Sequence, residues 1–190
     1  AMSGGLGNDI YRVESAGDTV TEETDEGDDV VYSSISLTIP VNVEVLLLEG
    51  TDDLWATGSS ERDILVGNSG NNVIIGGEGI DVLRGEGGDD TYAVDESSDA
   101  VIEQSGAGND VVYSSVDYIL SSHVETLILT GNAVSGFGSD QDNQIFGNAD
   151  INVLYGLGGN DFLLGFGGDD IFVIAPETGA VDVIGDFNDG

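Results

Sequence analysis

A nine-residue period governs this chain more tightly than any other feature. From residue 58 the units open on Gly58, Gly67, Gly76 and Gly85; a second run opens on Gly138, Gly147, Gly156 and Gly165; an isolated unit spans Gly4 to Arg12. The sixth residue is Asp63, Asn72, Asp81 and Asp90 in the first run, Asn143, Asn152, Asp161 and Asp170 in the second, and Asp9 in the isolated unit. The eighth is always large and apolar: Leu65, Ile74, Leu83, Tyr92, Ile145, Leu154, Leu163, Phe172 and Tyr11. Glycine every two or three residues disfavours helix, and an unbroken strand would need stricter two-residue alternation. Each unit therefore reads as a turn followed by a very short strand, with the eighth side chain inward and its neighbours outward.

Two such units complete one coil of a parallel solenoid, so residues about 18 apart stack. The expected fold is all-β, a right-handed parallel β-roll with about 18–20 residues per coil. A longer repeat is superimposed on the short one. Val30-Val31-Tyr32-Ser33-Ser34 recurs as Val111-Val112-Tyr113-Ser114-Ser115, and Val43-Glu44 recurs as Val124-Glu125. The chain reads as one continuous module over 1–190, built of two copies of roughly 80 residues (about 4–84 and 85–164) and the start of a third (165–190). Between the nonapeptide runs, Ser36–Ile39, Val45–Leu48, Tyr118–Leu120 and Thr126–Leu129 are strand-like, continuing the solenoid.

Charge is the second constraint. The 190 residues carry 37 acids against three arginines (Arg12, Arg62 and Arg84) and no lysine, a formal charge of −34. Nucleic-acid binding by phosphate neutralisation is excluded on these grounds, as is attraction to anionic membranes, and no apolar run approaches a bilayer span. Without cysteine there are no disulfides and no thiolate metal sites. Self-repulsion on this scale opposes compaction unless cations intervene. Glycine, 30 residues, is about twice its usual share, and in turns it permits positive φ and leaves carbonyl oxygens uncovered. Stacked turns of that kind, each with a sixth-position carboxylate, offer the hard oxygens and irregular geometry that calcium accepts and magnesium does not.

Units Gly4–Arg12, Gly76–Arg84, Gly85–Ala93, Gly156–Leu164 and Gly165–Val173 closely resemble the RTX nonapeptide, Gly-Gly-x-Gly-x-Asp-x-(large apolar)-x. The resemblance implies a calcium-loaded β-roll that folds after type I secretion. It also implies an ion between stacked turns, held by both sixth-position acids and by carbonyls at positions two and four of one turn and one and three of the next. On that pattern Asp63 pairs with Asp81 through Ser59, Glu61, Gly76 and Glu78. Asn72 pairs with Asp90 through Asn68, Gly70, Gly85 and Gly87, and Asp81 with Asp99 through Gly77 and Gly79. Asn143 pairs with Asp161 through Gly156 and Gly158, and Asn152 with Asp170 through Gly165 and Gly167. Asp9 with Asp29, using Gly5 and Gly7, and Asp90 with Asp110 are 20-residue pairings. Asn72, Asn143 and Asn152 depart from the consensus, so their turns are expected to bind weakly or to stack as an asparagine ladder.

Several ions, roughly eight, would halve the formal charge. The resemblance implies a noncatalytic module of an extracellular or cell-surface protein, exported without a cleavable N-terminal signal; Ala1-Met2-Ser3 shows neither a basic nor an apolar signal region. The alternatives are an adhesive or surface-layer spacer that binds glycan or neighbouring subunits, and an accessory part of a carbohydrate-acting or proteolytic enzyme. Among 37 acids close carboxylate pairs are guaranteed by number, so they carry no enzymatic signal. His123 aligns with Asn42 of the other copy and reads as a surface residue; Trp55 reads as core. Asp25, Asp28, Asp52, Asp53 and Asp142 read as solvated. Bare parallel edges near residues 1 and 190 would allow end-to-end association.

Overall fold

The computed structural model describes residues 1–174 and 180–186. The chain divides into two compact units: Ala1–Ala93 with Ser98–Gly108, and Val94–Ser97 with Asn109–Gly190. Among the described residues every strand is short and the pairings within each unit are parallel, so each unit is a β-solenoid.

The first unit is built from β1 (Ile10–Val13), β2 (Val30–Ser33), β3 (Leu37–Thr38), β4 (Val45–Leu48), β5 (Trp55–Thr57), β6 (Ile64–Val66), β7 (Val73–Ile75), β8 (Val82–Arg84), β9 (Thr91–Val94) and β10 (Ala100–Ile102). One sheet runs β1-β2-β4-β6-β8-β10; the facing strands run β3-β5-β7-β9. Register carries the period into the core: Val31 pairs with Leu46, Leu46 with Leu65, Leu65 with Leu83 and Leu83 with Val101. Ala56, Ile74 and Tyr92 align in the same way on the other side. All of these side chains are buried. The alternating exposure along each strand is what a two-residue period with one inner face demands.

The second unit contains β11 (Val111–Ser114), β12 (Tyr118–Ile119), β13 (Thr126–Leu129), β14 (Ser135–Phe137), β15 (Gln144–Phe146), β16 (Val153–Tyr155), β17 (Phe162–Leu164), β18 (Ile171–Val173) and β19 (Val183–Ile184). Its sheets run β11-β13-β15-β17-β19 and β12-β14-β16-β18. Val112, Leu127, Ile145 and Leu163 form one buried row, and Leu154 lies beside Gly136 in the other. A side chain at Gly136 would meet Leu127, Ile145 and Leu129 at 3.2–3.3 Å, so the glycine makes room for its larger neighbours.

The coils are less uniform than 18–20 residues. Val82 follows Ile64 by 18 residues, but Val45 pairs with Val30 and Thr126 with Val111, coils of only 15, and Val183 pairs with Phe162 across 21. The short coils have a local cause. Buried Ser33 and Ser114 fold the chain back at a corner: the Ser33 hydroxyl donates to the Ile35 carbonyl at 2.7 Å and accepts the Ile35 amide at 3.3 Å, and Ser114 does the same with Val116.

Trp55 is not core. It is 46% exposed, because the next residue, Ala56, takes the inward position of β5. Eighth-position side chains are buried from Tyr11 to Leu163, whereas Phe172 is half-buried. His123 and Asn42 share a role: both hold a left-handed turn, with φ of 69° and 61°. Of the third copy expected from residue 165, the stretches 175–179 and 187–190 lie outside the described residues, as does the expected open edge near 190.

Candidate metal centre

The turns earn their glycines through close approach. A side chain on Gly58 would collide with the Gly76 carbonyl oxygen of the next coil and come within 2.9 Å of Asp63 Oδ2. One on Gly77 would reach the Ser59 carbonyl at 2.5 Å, and one on Gly79 would strike that of Glu61. Gly77 and Gly79 hold φ of 89° and 122°, which side chains disfavour. Three of the four backbone oxygens assigned to the Asp63–Asp81 pair therefore crowd the gap between these two turns. The same crowding recurs where Gly67 faces the Gly85 carbonyl, Gly88 the Gly70 carbonyl, Gly138 the Gly156 carbonyl and Gly147 the Gly165 carbonyl.

Sixth-position residues stack as a directional ladder. The Asp63 amide donates to Asp81 Oδ1 at 2.8 Å, and the Asp81 amide to Asp99 Oδ1 at 3.0 Å. Asn72 donates in the same way to Asp90 at 2.6 Å, Asn143 to Asp161 at 2.8 Å and Asn152 to Asp170 at 2.8 Å. The 20-residue spacing between Asp9 and Asp29 keeps the motif, at 2.8 Å. The 15-residue coils keep it with glutamate: Asp29 donates to Glu44 Oε2 at 2.6 Å and Asp110 to Glu125 Oε2 at 2.8 Å. Asp90 falls in the first unit and Asp110 in the second.

Position within each turn fixes the other carboxylate oxygen. At Gly85, Gly156 and Gly165 a side chain would collide with the Oδ2 of Asp90, Asp161 and Asp170 respectively, so the sixth-position carboxylate folds back over its own first glycine. Asp29, Asp63, Asp81, Asp90, Asp99, Asp110 and Asp161 are buried, while Asp9 and Asp170 are partly so. Asp63 Oδ1 is buried without a hydrogen-bond donor. Desolvation raises the Asp63 carboxyl above the ordinary aspartate value despite hydrogen bonds from Ser59. A buried carboxylate oxygen of this kind, in a turn crowded by backbone carbonyls, fits a hard divalent cation.

Asparagine-bearing turns are closed differently. Asn143 Nδ2 donates to the Val124 carbonyl at 2.9 Å and Asn152 Nδ2 to the Ala133 carbonyl at 3.2 Å; Asn72 Nδ2 reaches Asn68 Oδ1 at 3.2 Å. In these turns the position-two carbonyls of Asn68, Ser139 and Asn148 already accept amides from Gly87, Gly158 and Gly167, at 3.3, 2.9 and 3.3 Å. The side-chain amide thus supplies protons where a cation would supply charge.

An outer ladder also emerges. Asp53 accepts the Asn71 amide at 2.8 Å, and Asp142 accepts the Asn160 amide at 2.7 Å, so these exposed acids have structural partners besides water. The nine-residue register did not reveal Glu22, Glu44, Glu103 or Glu125, all of which contact the turns from outside it. Burial raises the Glu44 carboxyl despite the hydrogen bond from Asp29. The Gly4 amide lowers the Glu22 carboxyl, but desolvation and the neighbouring Glu26 and Asp29 outweigh it, and the net shift is upward.

A family model, the RTX calcium-binding nonapeptide repeat, matches four copies over residues 57–97 and 137–173. No curated protein and no solved structure matches the chain.

Proposed function

With RTX calcium-binding nonapeptide repeats in both halves of the chain, we propose that it is a noncatalytic calcium-binding β-roll module whose folding is coupled to the ion. The observation that carries this reading is the Asp63–Asp81 turn pair. There Asp63 keeps a buried carboxylate oxygen without a donor, in a turn that meets the backbone carbonyls of the next coil at spacings only glycine permits. Calcium supplies the missing positive charge and bridges successive turns. Asp63, Asp81, Asp99, Asp90, Asp161 and Asp170 are the carboxylate ligands, joined by the carbonyls of Ser59, Glu61, Gly76 and Glu78 and their counterparts. The closed hydrogen bonding at Asn143 and Asn152 supports weaker occupancy on that side.

The module belongs, on this reading, to an extracellular or cell-surface protein exported by type I secretion. In low calcium the formal charge of −34 keeps the chain expanded, and millimolar calcium folds it. The test is a calcium titration of chelator-treated protein followed by circular dichroism and equilibrium dialysis. Strand signal and melting temperature are expected to rise together with bound calcium. Equal strand content and melting temperature with and without calcium would overturn the coupling.

A further inference from the structure

Asp9, Glu22 and Asp29 lie outside the segments that match the nonapeptide repeat. One carboxylate oxygen of each lies within 4.8 Å of the other two. Asp29 is fully buried and Glu22 is 5% exposed. Two of the groups are already partly engaged: Asp29 Oδ1 accepts the Asp9 amide, and Glu22 Oε1 accepts the Gly4 amide at 3.1 Å together with the Tyr11 hydroxyl. One oxygen of each, Asp9 Oδ2, Glu22 Oε2 and Asp29 Oδ2, is buried and has no hydrogen-bond donor. Arg12, the cation closest in sequence, is turned to Glu49 at 2.6 Å and lies over the Tyr32 ring.

Glu22 comes from the long connection between β1 and β2, at a place where the nonapeptide has no carboxylate. Gly4 is required beside it, since a side chain there would collide with Asp9 Oδ2 and the Tyr11 hydroxyl. The same four residue types recur at the same spacings as Asp90, Tyr92, Glu103 and Asp110, and the Tyr92 hydroxyl again donates to Glu103.

We propose that Asp9, Glu22 and Asp29 form a three-carboxylate site for one calcium-sized hard cation, with Tyr11 positioning Glu22. Three converging carboxylates exceed the two of a nonapeptide turn pair, and calcium affinity rises with ligand charge. This site therefore fills before the nonapeptide turns. The inference rests on the calcium reading for the ion and for the Asp9–Asp29 pairing; what it adds is Glu22 as a third carboxylate, held by Tyr11.

The test compares the full chain with Glu22→Gln, Tyr11→Phe and Asp81→Asn, by equilibrium dialysis against calcium and by terbium emission excited through tyrosine. Glu22→Gln should lose one ion from the tightest class, or bind it at least about tenfold more weakly. Tyr11→Phe retains all three carboxylates; it should keep the wild-type ion count while its terbium emission falls. Wild-type affinity in Glu22→Gln, or undiminished emission in Tyr11→Phe, would overturn the site. Asp81→Asn separates the two readings. If it loses an ion while Glu22→Gln does not, only the three-carboxylate site falls; if the wild-type chain binds no calcium at millimolar concentration, both fall.

Discussion

At residue scale, the choice between Asp and Asn at the sixth position decides what closes a turn. Asn143 donates from its own amide to the Val124 carbonyl. An isosteric carboxylate there would lose that bond and leave a buried charge beside Asp161. Asn143→Asp should therefore destabilise the chelated protein by about 1–3 kcal/mol, the usual cost of a buried unsatisfied polar group. In calcium the same variant should bind one additional ion and recover that loss, a sign reversal that paired denaturant melts with and without chelator would reveal. The sixth and eighth positions were legible in the sequence because glycine, acid and apolar residue recur in fixed register. Glu22 was not, since it reaches the turn from a connection that has no period. Trp55 was misread because its side of β5 depends on Ala56 taking the interior, which composition alone does not state.

At the scale of the strand, three residues with one inward side chain leave little redundancy. Leu83 is fully buried between Leu65 and Val101 in the rows of adjoining coils. Leu83→Ala should cost about 3 kcal/mol in excess calcium, measured by denaturant unfolding, because the neighbouring rows are tied to the backbone ladder and collapse poorly into a cavity. The parallel pairing and the inward row followed directly from the eighth-position pattern. The 15-residue coils did not, since they arise from the serine corners at Ser33 and Ser114, whose hydroxyls bond to the backbone two residues on. A serine pair reads the same in a sequence whether it lies flat in a strand or bends the chain.

For the whole molecule, the formal charge of −34 and the upward-shifted carboxyls of Asp63, Glu44 and Glu22 set the response to acid. A folded-state value above the unfolded one means that the native form binds protons more tightly. Stability in chelator should therefore rise as pH falls through those raised values, and be lost again as pH climbs above them. Circular dichroism of the chelated chain, acidified from neutral pH toward the ordinary carboxylate range, should show strand signal increasing, whereas the calcium-loaded chain should change less. A chelated protein with no gain on acidification would contradict the raised values.

The amide ladder has an orientation: residue 63 is completed by residue 81, and 81 by 99, always by a segment lying farther toward the carboxyl end. Each winding is finished only by the one after it, so closure of any loop in calcium waits on its neighbour about eighteen residues downstream.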